Sequence, residues 1–287
     1  MTGKSAFRGC IAFFIILLTM PLGHAFVVLM ERYLDGVALR LGAALLGAAG
    51  IALAIGGNRL PGRAMRMLAG AFGAILFWGA WVEFSYICYG SSLPVPPLMA
   101  DGQVFTKPEY RLMPSSFPFA VLAFIIYLYW APSRWGVVLW LRRRLAIDCR
   151  RSASSLSAQA TNLFIELLLL IWWCYLVLLV EFDPTLLGPR HVVTLVTAGF
   201  CLLVWIVLFV RSLRAPSWAS ALRQAVVNVC ILWTFVEVMI KLRLFTEVWI
   251  YPEQYIAEMI IIVVAFVVAL GVMARNGHKN IRHGGNS

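Results

Sequence analysis

One glutamate inside a long apolar segment stands out as a residue that could do chemistry. Residues 68–90 are almost entirely apolar, and Glu83 lies well inside them, with Gly79 and Ala80 before it and Tyr86 after it on one helical face. A carboxylate at that depth in a bilayer costs a few kcal/mol, so it should face protein or trapped water. The sequence predicts that Glu83, with Tyr86 beside it, binds a proton, a cation or a small solute.

A second intramembrane acid, Glu237, is followed one helical turn later by Lys241. In one interpretation Glu83 and Glu237 face each other near the middle of the membrane, where burial and a nearby like charge both raise the pKa of a carboxyl group. In the other, Glu237 and Lys241 neutralise each other as an i,i+4 pair and hold helices together. Both interpretations are open, and both residues are predicted members of the site.

A proline-rich segment, residues 91–116, contains a further candidate group, Glu109, Tyr110 and Arg111. Proline fixes the backbone φ angle, so this segment is expected to be an ordered cap on the outer side of the membrane. It has two alternative uses. It could dock a protein partner, or its acid and arginine could serve as acid–base and phosphate-binding groups for a lipid-linked substrate.

The other polar residues show no spacing typical of a catalytic or metal-binding motif. The six cysteines are scattered singly, and no histidine box, H-E-x-x-H, P-loop or dinucleotide fingerprint occurs, so no metal and no cofactor is predicted. His24 could be a proton relay or a metal ligand, but a single histidine in a helix more often hydrogen-bonds a neighbour. Glu166, near the start of an apolar segment, is expected to reach the inner headgroup layer.

Composition determines the class of protein that must hold these residues. Hydrophobic residues make up 62% of the 287 residues, charged residues only 13%, and the mean hydropathy is +0.85. A soluble domain of this size is about half apolar. The sequence therefore predicts an all-α integral membrane protein, whose first partner is the lipid bilayer itself.

Eight apolar segments are close to the roughly 20 residues that a membrane-spanning helix needs. They predict a bundle of eight transmembrane helices, of which the first is a retained helix and not a cleaved signal. The segments are residues 10–30, 41–57, 68–90, 117–131, 163–182, 191–210, 226–250 and 255–274.

The distribution of charge predicts the orientation of this bundle. With eight crossings, the basic residues of the amino terminus, of the second, fourth and sixth connections and of the tail fall on one side, which is then cytoplasmic, while the opposite connections hold most of the acids. The expected location is a bacterial-type inner (plasma) membrane, crossed several times. Because the net charge of +11 is spread over every inner connection, nucleic acid is not an expected partner.

The inner connection of residues 132–162 combines Trp135 and Trp140 with a cluster of arginines from Arg142 to Arg144. Aromatic residues next to basic ones are typical of a helix lying on anionic lipid headgroups at the cytoplasmic face. Alternatively, the fourth crossing runs on past Pro132.

Similar residues recur in the same order in the two parts of the sequence, residues 1–131 and 163–287, which the basic linker of residues 132–162 separates. Four sets of residues match, at separations near 150 except for the last, which is shorter. They are Glu31 with Glu181, Arg59 and Pro61 with Arg214 and Pro216, Trp78, Val82 and Glu83 with Trp233, Val236 and Glu237, and Pro108, Glu109 and Tyr110 with Pro252, Glu253 and Tyr255. A tandem duplication of four helices would give two copies of one orientation, as in parallel-repeat transporters. Chance matches between leucine- and valine-rich helices are the alternative.

Three functions are compatible with these residues. The first is binding or movement of a small solute or proton at Glu83, with Glu237. The second is a non-catalytic membrane subunit or assembly factor of an envelope complex, which would dock through residues 91–116. The third is a membrane enzyme acting on a lipid-linked substrate.

Overall fold

The computed structural model describes residues 3–93, 95–100, 103–106, 108–131, 135–147 and 158–283, nearly all of them helical. The main helices are α1 (Gly3–Tyr33), α2 (Gly36–Gly56), α3 (Arg63–Phe77), α4 (Phe84–Ser92), α5 (Pro108–Leu112), α6 (Phe117–Trp130), α7 (Gly136–Arg144), α8 (Gln159–Phe182), α9 (Val192–Ser212), α10 (Trp218–Lys241) and α11 (Ile256–His283).

Seven helical segments within the described residues are long and apolar enough to cross a membrane. They are Gly3–Tyr33, Gly36–Arg59, Arg63–Gly90, Gln159–Phe182, Val192–Ser212, Trp218–Lys241 and Ile256–Asn276. The protein is therefore a multi-pass, all-α membrane protein. The segment around α6, Met113–Tyr129, is apolar but shorter than these seven.

The segment predicted as an ordered outer cap contains a small sheet that the sequence did not predict. Strands β1 (Leu98–Ala100) and β2 (Gln103–Thr106) pair antiparallel, and the short helix α5 follows them. Met113–Ser116 then forms a 3-10 turn that leads into α6. The described part of this segment is thus folded, even though its residues give no alternating strand pattern.

The first of two compact units consists of residues 1–42 and 192–287. Helix α1 packs along both α10 and α11, and α9 packs along α10. Phe13 of α1 meets Phe209 of α9 edge to face, with their ring centroids 4.9 Å apart. A Cβ atom at Gly9 would lie 2.7 Å from the carbonyl oxygen of Ser212, so this approach of α1 to the end of α9 requires glycine.

The second unit consists of residues 43–191, in which α3 and α6 both pack against α8. Glycine allows α3 and α8 to approach closely, because a Cβ at Gly70 would lie 2.3 Å from the carbonyl oxygen of Ala160. Asn58 strengthens this contact: its Oδ1 accepts from the Ala160 N–H at 2.8 Å, and its Nδ2 donates to Thr161 Oγ1 at 2.7 Å. The first turn of α8 is thus capped by a side chain from another helix.

The first unit combines segments from both ends of the chain and the second is the continuous stretch between them, whereas the predicted halves, residues 1–131 and 163–287, follow one another along the chain. The two divisions describe different properties of the molecule. The duplication and its four-plus-four arrangement stay predictions.

Candidate functional site

The segment that carries Glu83 is interrupted by a π-helical turn. Residues Arg63–Gly90, here called the Glu83 span, consist of α3, a π-helical turn over Trp78–Glu83, and α4. At the end of the turn the Phe84 N–H donates to the carbonyl oxygen of Gly79, five residues back instead of four. Such turns are rare and occur frequently at functional sites. Glu83 is the last residue of this one.

The side chains of the π turn divide between the protein core and its surface. Trp78, Ala80 and Phe84 are buried, whereas Glu83 is half-buried. The indole of Trp78 lies against the ring of Tyr175 from α8, with centroids 5.3 Å apart. Among the described residues the Trp78 Nε1–H has no hydrogen-bond acceptor, although the side chain is only 6% exposed. An N–H that is buried without an acceptor costs the fold part of its stability.

The π turn is also fastened to α2. Trp81 Nε1 donates to the Ala44 carbonyl oxygen at 3.2 Å, and the indole ring lies over Gly47, where a Cβ would be 1.9 Å from the ring. Below this contact, Gly50 and Gly73 bring the two backbones together, since a Cβ at either would lie 2.6 Å from the other's carbonyl oxygen. The composition of α2, rich in glycine and alanine, had predicted such a close helix contact.

Glu237 lies within α10 and is half-buried, beside a column of three aromatic rings. Trp233 Nε1 donates to Glu237 Oε1 at 2.8 Å. The Trp233 ring in turn stacks on His24 at 5.9 Å between centroids and contacts Trp249 at 5.3 Å. The position of the Glu237 carboxylate is therefore restricted by its hydrogen bond from Trp233, whose ring is packed against His24 and Trp249.

The Nδ1 atom of His24 lies 2.9 Å from the Met20 carbonyl oxygen. Because a carbonyl oxygen only accepts hydrogen bonds, Nδ1 carries the proton and donates it. This confirms the expected hydrogen bond to a neighbour.

The remaining intramembrane candidates lie close to the two acids along their helices. Tyr86 is half-buried in α4, one turn after Glu83, and Lys241 is the last residue of α10. Glu83 belongs to the second unit and Glu237 to the first. Their pairing across the membrane therefore stays a prediction.

Of the three outer candidates, the structure describes the side chain of Arg111 alone. Arg111 is exposed and its Nη1 donates to the Pro96 carbonyl oxygen at 2.6 Å, which ties α5 to the start of the outer segment. The backbones of Glu109 and Tyr110 lie in α5, and their side chains fall outside the described part of the structure. A phosphate-binding role for Arg111 would compete with its backbone contact.

No match to a known protein accompanies these geometries: no family model, no curated protein and no solved structure matches the chain.

Glu166 occupies a position that the sequence did not predict. It was expected to reach the headgroup layer, but it is only 1% exposed, and the hydroxyl of Tyr127 donates to its Oε1 at 2.8 Å. That expectation was wrong because Tyr127 approaches from α6, 39 residues earlier in the sequence. No local spacing could have indicated this hydrogen bond.

Arg142 differs in the same way from the arginines beside it. It is 4% exposed, whereas Arg143 and Arg144 are exposed. Its guanidinium donates to the carbonyl oxygens of Leu128 at 2.7 Å and Tyr127 at 3.1 Å, and also to that of Ala131. Arg142 thus caps the end of α6 and is not available to a lipid headgroup, although the sequence had grouped it with the headgroup-facing arginines.

Near the other end of α1, Arg32 and Tyr33 hold the exposed carboxylate of Glu253. Arg32 Nη1 lies 2.5 Å from Glu253 Oε2, and the Tyr33 hydroxyl donates to Oε1. The hydrogen bond from Tyr33 lowers the pKa of Glu253 below its ordinary value, and Arg32 lowers it further.

Within the described residues, no three histidines, cysteines or acids lie close enough together to hold a metal ion.

Proposed function

We propose that this chain is an inner-membrane protein with eight crossings and cytoplasmic termini that binds or moves a small solute or proton at the carboxylate of Glu83. The position of Glu83 at the end of a π turn carries the proposal. A straight α-helix is the stable form in hydrocarbon, and a widened turn with an acid in it weakens the backbone ladder. Such a turn is expected where the side chain has a use.

The chemistry of the π turn suits a ligand with both acceptor and donor character. Glu83 supplies a carboxylate that can take up a proton or bind a cationic group, and Trp78 supplies a buried N–H. Tyr86, one turn further along α4, is proposed as part of the same site. Glu237 and Lys241 are proposed as a second polar site on α10.

The shorter helix α6 is proposed as the fourth of the eight crossings. The apolar segment Met113–Tyr129 would span about 25 Å at 1.5 Å per residue, slightly less than the hydrocarbon core. Its last carbonyl groups would then lie at the edge of the hydrocarbon, where they need a partner. Arg142 supplies that partner, which supports a crossing that ends early.

The proposal is tested by replacing Glu83 with glutamine in proteoliposomes that contain a pH-sensitive dye. With an imposed potassium gradient and valinomycin, the native protein should carry protons faster than empty liposomes, and Glu83→Gln should lose at least nine-tenths of that rate. Glu258→Gln is the matched control, because Glu258 is exposed at the start of α11. Full flux in Glu83→Gln would exclude proton exchange at this residue.

A second measurement covers solutes other than protons. In a cysteine-free background, Glu83→Cys should react with a membrane-impermeant thiol reagent, because a site for any solute must be reachable from water. Val196→Cys on the lipid-exposed face of α9 and Ala74→Cys in the buried face of α3 should both stay unreactive. An unreactive residue 83 combined with a partner that copurifies in mild detergent would favour the subunit function instead.

A further inference from the structure

The π turn coincides with a one-residue difference between the Glu83 span and α10. Trp78 and Trp233 are 155 residues apart, as are Arg59 and Arg214 before them in the sequence. Glu83 and Glu237 are 154 residues apart. The Glu83 span therefore holds one residue more between its tryptophan and its glutamate, and all residues between the two belong to the π turn.

A π turn is the structure that an inserted residue produces in a helix. Its hydrogen bonds close over five residues instead of four, so the extra residue is taken up within one turn. In an uninterrupted α-helix each residue turns the chain by about 100°. Glu237, four residues after Trp233, is then about 40° away from it around the helix, whereas five residues would place Glu83 about 140° from Trp78. The wider turn returns Glu83 to the same side as its tryptophan.

The buried faces of the two helices follow the same shift. Before the turn, buried residues match at a separation of 155: Gly70 with Ala225, Ala71 with Val226, Gly73 with Asn228, and Ala74 with Val229. From Ala80, inside the turn, they match at 154: Ala80 with Thr234 and Phe84 with Val238, while Glu83 and Glu237 are both half-buried. The separation between matching buried residues thus changes from 155 to 154 within the π turn.

The composition of the compact units shows a second correspondence. In the first unit α1 packs against α10 and α11, and in the second unit α8 packs against α3 and α6. If the chain is two copies of four helices, then each unit contains the first helix of one copy and the other three helices of the other copy. In each unit, moreover, a ring from that first helix contacts the matched tryptophan: His24 on Trp233 and Tyr175 on Trp78.

We infer that the chain is a tandem duplication whose copies exchange their first helices. The π turn results from one residue inserted into the first copy, and it keeps Glu83 in the position that Glu237 occupies in the second copy. The π turn is then a positioning device for Glu83. Trp78 and Trp233 are then equivalent residues. This inference holds whatever ligand Glu83 binds.

The experiment removes the extra residue and compares this with the same change where no extra residue exists. Deleting Gly79 should convert the π turn to an α turn, leave Phe84 buried, and shift the melting temperature in detergent by less than about 4 °C, a small change for a chain of this size. Deleting Phe235 from α10 should rotate Val238 and Ile240 out of the core and abolish the folded, monodisperse protein.

The reciprocal variant inserts one glycine between Trp233 and Thr234, and this chain should also fold. The inference requires that the Gly79 deletion and the glycine insertion are both tolerated and that the Phe235 deletion is not. Any other combination overturns it. Because the readout is stability, a failure here is distinct from a failure of the flux assay.

A second readout follows the orientation of residue 83 itself. In the chain without Gly79, Glu83→Cys should keep the thiol reactivity that it has with the π turn, since an α turn of four residues places it on the same side of the helix. A more than tenfold loss of the reaction rate in a folded deletion variant would show that the π turn does not preserve this position.

Discussion

At the scale of single residues, Glu253 joins the end of α1 to the segment that leads into α11. Its carboxylate accepts from Tyr33 and pairs with Arg32, and all three side chains are exposed. Contacts of this kind contribute little individually in water and depend on salt. Their effect is local, because they fix the connection that precedes α11.

The lowered pKa of Glu253 makes this contact depend on pH in one direction. Because the pKa is lower in the folded chain than in the unfolded one, the contact stabilises the fold above the ordinary carboxyl pKa, and this stabilisation is lost as pH falls through the lowered pKa. We expect faster amide hydrogen exchange in the residues around Glu253 under acid, measured by mass spectrometry and corrected for the intrinsic rate.

Glu253→Gln should already show that faster exchange at pH 7 and should change little on acidification. Glu258→Gln serves as the control, since its exchange should follow the native protein. An identical pH response in the native chain and Glu253→Gln would contradict the assignment of the effect to this carboxylate.

The intramembrane acids show which polar residues could be predicted from sequence. Glu83 was recognisable because it lies far from either end of its apolar segment, and Glu237 because it matches Glu83 in the second part of the sequence. Glu166 was not, since its hydrogen-bond donor Tyr127 comes from another helix. A carboxylate near a segment end can either reach water or turn inward, and the neighbouring helix decides between the two.

At the scale of helices, the end of α6 is held by α7. Val138 of α7 packs against Tyr127 and Leu128, and Arg142 bonds the carbonyl groups of the same turn. Helices α6 and α7 are thus separate helices in contact. The fourth apolar helix ends at Trp130 and does not run on past Pro132. The negative end of the α6 dipole and the guanidinium stabilise each other.

This arrangement predicts very different effects for two neighbouring arginines. Arg142→Met should lower the stability of the fold by about 3 kcal/mol, because several carbonyl groups lose a charged donor and stay buried. Arg143→Met should change it by less than about 0.5 kcal/mol, because Arg143 is exposed and its Nε bonds a carbonyl of its own helix.

Both variants are to be measured by reversible unfolding in mixed detergent, with the native chain in the same experiment. Equal losses from the two substitutions would mean that the positive charge of this region matters and the cap does not. Among the described residues of this segment, the proposed contact with anionic headgroups is left to Arg143, Arg144 and Trp140. Trp140 is exposed, and the guanidinium of Arg144 lies 5.8 Å from the centroid of its ring.

Helices were the part of the fold that the sequence predicted best, because an apolar segment of about 20 residues has few alternatives in a membrane. The short hairpin of β1 and β2 was not predicted, since the proline-rich residues around it give no alternating pattern. The π turn was not predicted either. Its signal is the different spacing of Trp78–Glu83 and Trp233–Glu237, which becomes visible only when the two helices are compared.

At the scale of the whole molecule, neither compact unit coincides with one of the two sequence halves, residues 1–131 and 163–287. The first unit needs residues 1–42 as well as 192–287, and the second, residues 43–191, includes α8 from the later half. Each unit thus depends on a helix from the far side of the basic linker.

Cutting the gene within residues 148–157 tests this dependence. We expect the fragments 1–150 and 151–287 to be degraded when each is expressed alone. The first lacks α8, which packs against α3 and α6, and the second lacks α1, which packs against α10 and α11. Coexpression should restore a complex that copurifies through a tag on one fragment and that migrates like the native chain in size-exclusion chromatography.

A fragment that folds stably alone would contradict the exchange of helices and would favour two sequential four-helix domains. The duplication itself was suggested by matched residues in the sequence. The grouping of α1 with α10 and of α8 with α3 was not, because the preferred neighbour of a transmembrane helix depends on the small residues of both surfaces, such as Gly70 against Ala160.

The indole of Trp81 occupies the volume that any side chain at Gly47 would require. A single methyl group at position 47 would displace the ring, break its bond to Ala44 and release the turn in which Glu83 lies. The absence of a side chain at Gly47 in α2 is therefore required for the turn that positions Glu83. The two positions are mechanically linked although they share no chemistry.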